Sequence, residues 1–382
     1  MADLLFRAAP NIVLGSLISS RLGLYAKEWG ERFMVIVDPG LKRVQKADTI
    51  FESLSTRNVD YFVFDEIDPS SDSETVRHAL GLARDARAQG VIAVGGSSVQ
   101  GVARSVCALF HEKQEIYSFL DGESPSTESL PLIAVPSTIR SHFLFTDVVP
   151  VVDARSRQLK VMKVQNALCK LAAFDPNLHL SLSADQTGSI TLETLGIAVE
   201  AYLSQKANFF SDMFAERAME LLGWYLNPSE GARPSAEPET LLAQGGCLAS
   251  LAVASSSVGP AALAGLAVSA RYKVPRPLTA SILLPYVLED VAKFKKDRVV
   301  RVAQLMGIEG DAADDDRMVS LLAGKIRNLI ALARLPSHLK DLSLTMEQFA
   351  IAAEDVSQLE MVNGMPRSMG SEDFFELMKT AF

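Results

Sequence analysis

"VIAVGGSSVQGVARSV", residues 91–106, is the stretch on which the reading of the fold turns. Four apolar residues, too short a run for a helix, lead into Gly95-Gly96-Ser97-Ser98, after which apolar residues return at helical spacing. That pattern is a buried strand, a turn and a helix. The turn itself has two readings. Glycines let backbone N–H groups approach an anion while serines cap the helix and supply hydroxyls. A plain strand-to-helix turn in any α/β protein wants the same residues.

Outward from this stretch the rhythm repeats. "NIVLG" (11–15), "RFMVIVDPG" (32–40), "DYFVFDEI" (60–67) and "PLIAVPST" (131–138) have the same short, apolar character, and "SETVRHALGLARDARAQG" (73–90) is an amphipathic helix ending on glycine. Buried strands alternating with helices predict a parallel sheet covered on both faces. "LFTDVVPVVD" (144–153) and "QLKVMKV" (158–164) add two strand segments. After "AAFDPNLHLSLS" (172–183) helical periodicity takes over, with helices expected at 187–204, 212–226, 238–256, 260–271, 280–294, 298–306, 315–333, 346–355 and 372–381. The expected domains are an α/β domain at 1–178 and an all-α domain at 179–382. "NPSEGARPSAEPET" (227–240) reads as a loop.

Composition narrows the function. A net charge of −9 and a pI near 5.2 leave no clustered Lys and Arg for nucleic acid or an anionic membrane face, so a small-molecule substrate or an anionic metabolite is the expected partner. Cys107, Cys169 and Cys247 lie in apolar sequence outside any CxxC pair, which predicts no disulfide framework, no structural zinc and a cytoplasmic setting. "MADLLFRAAPNIVLG" lacks the pattern of a signal peptide. The apolar stretch 247–270 is interrupted by serines and by Gly259-Pro260, and is expected to form two buried helices meeting at a kink rather than a membrane span.

Taken in order, these segments resemble the iron-containing alcohol dehydrogenase family, part of a superfamily with glycerol dehydrogenases and dehydroquinate synthases. "VIAVGGSSVQGVAR" resembles the family's GGGS-x-x-D-x-x-K loop, "PLIAVPST" its P-T-T strand end and "AAFDPNL" the Asp-Pro closing its first domain. "TLGIAVEAYLS" resembles D-A-L-x-H-A-I-E-A-Y, and "YKVPRPLTASILLPYVLED" resembles the P-H-G-containing helix start; the ending "NGMPRSMGSEDFFELM" fits as well. The resemblance implies a Rossmann-like nucleotide-binding domain, a helical domain in the manner of dehydroquinate synthase, and a cleft between them for cofactor and metal. It places Gly95, Gly96 and Ser97 at the pyrophosphate of NAD, with Ser137 and Thr138 nearby, and Lys160 beside the cofactor, although a plain strand lysine is the other reading there. Asp38, ending the second strand, would accept hydrogen bonds from ribose hydroxyls and repel a 2′-phosphate, favouring NAD over NADP; as a turn residue before Pro39 it has a second reading. Relatives commonly form dimers or larger assemblies, often through an N-terminal strand, so a homodimer is expected.

The pattern breaks at the metal. Relatives bind a divalent ion through an aspartate, a histidine four residues later and two further histidines. Aligned on "EAY", Glu193 stands at the aspartate and Ile197 at the first histidine; aligned on "VPRPLTASILLP", Arg276 and Ala262 stand at the other two, and Leu266 at a non-ligand active-site histidine. The histidines present, His78, His111, His142, His179 and His338, match none of these positions. One carboxylate does not hold Zn²⁺ or Fe²⁺, so no metal is expected. Glu193 and Arg276 are expected either to pair and fill the vacated space or to present a guanidinium that grips a substrate anion or polarises a carbonyl. The cofactor side departs too: Gly101 and Arg104 replace the loop's aspartate and lysine, and Arg140, Ser141 and His142 replace a glycine-rich turn. The expected function is an NAD(H)-linked oxidoreductase interconverting an alcohol and a carbonyl compound without a metal, with Arg276, Glu193 and His142 as catalytic candidates. The alternative is a non-catalytic descendant that binds a nucleotide or anionic metabolite as sensor or scaffold; a synthase of the dehydroquinate type ranks last because its chemistry also needs the metal.

Overall fold

The strands form where the apolar runs are shortest and most β-branched. In chain order they are β1 (Asn11–Leu14), β2 (Arg32–Val37), β3 (Asp60–Phe64), β4 (Gly90–Gly95), β5 (Leu132–Pro136), β6 (Val148–Val152), β7 (Leu159–Lys163) and β8 (Cys169–Phe174). Six of them make one parallel sheet in the order β1-β8-β5-β4-β2-β3. The computed structural model describes residues 10–68, 71–166, 168–179, 182–227, 235–309 and 314–382; the stretch 1–9, which bears on the signal-peptide reading, and residues 228–234 of the expected loop at 227–240 lie outside the described residues.

Strand residues alternate between two buried faces, as a sheet covered on both sides requires. Val35, Val37, Ile92, Val94, Ile133 and Val135 pack with Ile50 and Leu54 of the Asp48–Thr56 helix. Met34, Ile36, Val91 and Ala93, equally buried, point to the other face, where the Ser97–Leu109 helix lies. Each of the Val, Ile, Leu and Met side chains among them contributes roughly 1.5–3 kcal/mol by leaving water, which outweighs the weak propensity of any single residue. Because the crossover after β2 covers one face and the crossover after β4 the other, the chain parts at the carboxyl ends of these two neighbouring strands. An open α/β sheet binds ligands at such a topological switch point.

The segments at 144–153 and 158–164 do form strands, but outside the sheet: β6 and β7 pair antiparallel as a hairpin, with Arg157 at φ 59° in its turn.

The chain divides into two compact units between Leu182 and Ser183. The sequence places this boundary at 178, four residues earlier. The chain stays with the first unit past 178: Asp175 accepts Leu17 N–H at 3.2 Å, Ser19 N–H at 3.0 Å and the Ser19 hydroxyl at 2.6 Å, His179 at the end of the Pro176–His179 helix is buried, and Leu182 N–H bonds back to His179 O at 3.2 Å.

The second unit is helical: Ala184–Leu203, Phe209–Leu226, Pro238–Ser255, Pro260–Tyr272, Arg276–Val291, Lys296–Leu305, Asp315–Leu332, Met346–Ser357 and Ser371–Thr380. Ser183 and Asn208 open the first two with capping boxes. The fifth begins at Arg276, a turn before the expected 280. Pro275 at its N-cap and Pro277 in its first turn start the helix instead of breaking it, since proline there removes an N–H that has no intrahelical acceptor. The stretch 247–270 holds the expected kink: the Pro238–Ser255 and Pro260–Tyr272 helices meet at 99°. No single helix among the described residues is long and apolar enough to cross a membrane; only this bent pair reaches the length and composition together, and both members are largely buried within their own unit.

Candidate functional site

In the first unit the register sets the site. Val37 of β2 lies opposite Val94 of β4, and Gly95 of β4 opposite Pro136 of β5, so the three strands end level. Asp38, Gly96 and Ser137 follow immediately. Backbone bonds lock them there, Asp38 N–H donating to Val94 O at 2.9 Å and Ser137 N–H to Gly95 O at 3.2 Å. The structure therefore brings six of the seven expected cofactor residues, Asp38, Gly95, Gly96, Ser97, Ser137 and Thr138, to one end of the sheet. Lys160 is placed elsewhere, on β7 opposite Val151, where its charge helps hold the Asp153 carboxyl below the usual range behind the larger effect of Arg155.

The two glycines have different causes. A Cβ on Gly95 would stand 2.5 Å from a methyl of Val99 and 2.7 Å from its Cβ, so the chain's own packing forbids a side chain. A Cβ on Gly96 would meet nothing closer than Thr138 Oγ1 at 3.6 Å. Gly96 is the N-cap of the Ser97–Leu109 helix and brings no side chain to cover the helix start, which leaves a positively polarised helix end at the switch point. Asp38 Oδ1 accepts Gly40 N–H at 2.7 Å and caps the short Pro39–Arg43 helix, as its reading as a turn residue requires, and the residue stands half-buried at the end of β2. His142 is buried in the turn after β5.

In the second unit Glu193 lies buried in the middle of the Ala184–Leu203 helix. It lines a small cavity with Ile197, Glu200, Ala262, Ala280 and Leu284. Glu193, Ile197 and Glu200 share one face of their helix by spacing. Ala280 and Leu284 repeat at i,i+4 from Arg276, which puts Arg276 on the same side of its own helix at the first turn. Glu200 is 1% exposed, and its two oxygens accept the N–H groups of Ala261 at 2.6 Å and Ala262 at 3.1 Å, capping the Pro260–Tyr272 helix. Burial pushes its carboxyl up to about 7, against the backbone N–H bonds that favour its charge. Gly259 makes the approach possible, since a Cβ there would lie 2.6 Å from Glu200 Cδ.

Comparison with known proteins now decides the family. Residues 9–176 match the model described as iron-containing alcohol dehydrogenase, and residues 189–382 match that of the C-terminal part of the Fe-containing alcohol dehydrogenase family. The chain belongs to the iron-containing alcohol dehydrogenase family. It is 23% identical to a 1,3-propanediol dehydrogenase from Citrobacter freundii over 98% of this chain and 96% of that one. It has the fold of a 1,3-propanediol oxidoreductase crystal structure, with a TM-score of 0.91 at 21% identity and full coverage of both chains. A sulfoacetaldehyde reductase from Bifidobacterium kashiwanohense, solved in complex with NAD⁺, superposes with a TM-score of 0.84 at 19% identity over 100% of this chain and 99% of that one.

The family's ion asks for three or more donors around one point. Three of the four positions aligned with its ligands, Glu193, Ile197 and Ala262, do line one cavity here. Their chemistry does not fit a divalent metal: one is a hydrocarbon, one a methyl group, and the second carboxylate in the cavity, Glu200, is engaged by backbone N–H groups. Among the described residues no group of three or more His, Cys, Asp or Glu side chains is placed to hold an ion.

Glu200 and Gln100 were not singled out from the sequence. Gln100, buried in the Ser97–Leu109 helix, donates Nε2 to Ala93 O at 3.1 Å and Gly95 O at 3.3 Å and so holds the end of β4 from beneath. A glutamate inside an otherwise apolar helix, seven residues after Glu193, was the available signal for the first; nothing in the spacing pointed to the second.

Proposed function

We propose that this chain is an NAD(H)-linked oxidoreductase that interconverts a small alcohol and its carbonyl compound without a divalent metal. The observation that carries the dinucleotide half is the level ending of β2, β4 and β5, with Asp38 and an uncapped helix start on either side of the switch point. The N–H groups beyond Gly96 would hold the pyrophosphate and Asp38 the adenosine ribose, where its charge would disfavour a 2′-phosphate. The relative solved with NAD⁺ supports the same cofactor.

Bound at the switch point, NAD(H) would supply or accept the hydride; the chain's own residues are left to polarise the carbonyl oxygen and to move its proton. Arg276 is our assignment for that role: a guanidinium at the start of its helix donates hydrogen bonds to the developing alkoxide. Glu193, in the same helical unit, orients it. The chain works in the cytoplasm as a homodimer in this reading, and meets no nucleic acid or membrane.

The test is a fluorescence titration of the purified protein with NADH, exciting Trp29 and Trp224, followed by aldehyde reduction after exhaustive chelation with the metal content measured. Saturable NADH binding and turnover that survives chelation are expected. Turnover that vanishes with chelation and returns with Fe²⁺ or Zn²⁺ overturns the metal-free reading. NADH binding without turnover on any aldehyde favours instead the second reading, a non-catalytic dinucleotide-binding descendant, for which the missing imidazoles speak.

A further inference from the structure

The segment between β5 and β6, residues 137–147, has no regular secondary structure yet contains Ser137 and Thr138. A loop of this kind must find partners for its carbonyls. Two of those at its far end, with the first carbonyl of β6, converge on one side chain. Arg104, 3% exposed in the Ser97–Leu109 helix, donates Nη1 to Phe143 O at 2.5 Å and to Val148 O at 2.9 Å, and Nη2 to Thr146 O. The Thr146 hydroxyl adds bonds to Phe143 O at 2.8 Å and Val148 O at 2.9 Å.

One turn earlier on the same helical face stands Gln100, which holds Ala93 O and Gly95 O. Gly95 O also accepts Ser137 N–H, where the loop begins. Two long polar side chains on one face of one helix thus hold the two ends of this region: Gln100 the glycine turn to which Ser137 bonds, Arg104 the far end of the 137–147 loop where it enters β6. A planar fork reaches three carbonyls at once, and a lysine ammonium, the residue type of the family pattern, does not match that geometry. Burial lowers the Arg104 guanidinium to about 10, so it still carries its charge at neutral pH, with the Asp147 charge nearby partly balancing it.

We infer that Arg104 is a positioning residue that sets the Ser137–Thr138 loop against the glycine turn and so shapes the pyrophosphate and nicotinamide end of the dinucleotide site. The inference rests on the dinucleotide reading given above. It makes a division: the adenosine end, at Asp38, is built without this loop, whereas the other end depends on it.

The experiment is calorimetric titration of wild type, Arg104→Lys and Thr146→Val with NADH and, separately, with AMP, thermal unfolding being recorded for each. NADH affinity is expected to fall about tenfold or more in Arg104→Lys, on the order of 1.4 kcal/mol, and less in Thr146→Val, while AMP affinity stays within twofold in both. General destabilisation would move both ligands together. Equal losses for AMP and NADH, or no loss in either variant, overturn the inference and leave the dinucleotide reading standing; a wild type that binds neither ligand removes that reading and the inference with it. Thr146→Val keeps the test decisive should Arg104→Lys not fold.

Discussion

The Glu200 carboxylate accepts the backbone N–H of Ala261 at 2.6 Å, so the start of the Pro260–Tyr272 helix is plugged by an acid from the neighbouring Ala184–Leu203 helix. Its carboxyl is raised from 4.5 to about 7 by burial. A raised carboxyl means that the folded state holds the proton more tightly than the unfolded one. This contribution is therefore complete below pH 4.5 and is lost as the pH climbs through 7. The expected loss is about 3 kcal/mol at roughly 1.4 kcal/mol per unit. Glu200→Gln, which keeps an acceptor but no titration, is expected to flatten that part of the profile. Chemical denaturation of both proteins between pH 5 and pH 8 checks it, and parallel curves would remove the assignment. Glu200→Ala leaves helix N–H groups without an acceptor and is expected to cost about 2–4 kcal/mol.

Gly95 and Gly96 are neighbours with opposite predicted behaviour. Gly95→Ala drives a Cβ into Val99 and is expected to destabilise by about 1–3 kcal/mol, partly recovered in the Gly95→Ala/Val99→Ala double variant. Gly96→Ala meets only Thr138 at ordinary contact distance and is expected to fold with near wild-type stability but to bind NADH several-fold more weakly. Paired melting curves and NADH titrations separate the two. Unimpaired NADH binding in Gly96→Ala would argue for the plain strand-to-helix turn.

Asp38 has a capping role and a recognition role that one substitution can part. Asp38→Asn keeps an oxygen for Gly40 N–H but removes the charge. Stability is expected to change by less than about 0.5 kcal/mol, while the preference for NADH over NADPH falls about tenfold. A preference that does not move places the ribose elsewhere.

Glu193, Ile197 and Ala262 line one small cavity, so these three positions are neighbours in the fold. The variant carrying Ile197→His, Ala262→His and Arg276→His is expected to retain about one Zn²⁺ per chain after dialysis, four donors being the usual complement, whereas the wild type retains a small fraction. Metal analysis of the two preparations decides it. Stoichiometric metal in the wild type contradicts the metal-free reading directly.

Much of this was legible without coordinates. The strand at 91–94 and the helix after it follow from apolar spacing, and the kink at Gly259-Pro260 from the backbone chemistry of those two residues. That positions 197, 262 and 276 carry Ile, Ala and Arg and not histidine is read directly from the sequence and needs no fold to be seen. Local rules reach this far because they act over one or two turns of chain.

Other features depend on contacts between residues far apart in sequence. Whether 148–152 and 159–163 joined the sheet or paired with each other was decided by strand partners, which alternation alone does not name. Glu200 as a helix cap 61 residues away, Asp175 as an anchor for Ser19, and Arg104 as the holder of two loop carbonyls and the first of β6 are long-range bonds whose value appears only when burial removes the competing water. Patterning settled which segments become strands and helices; the low-dielectric packing of those segments settled which polar side chains act on which backbone, and hence how the switch point and the cavity are shaped.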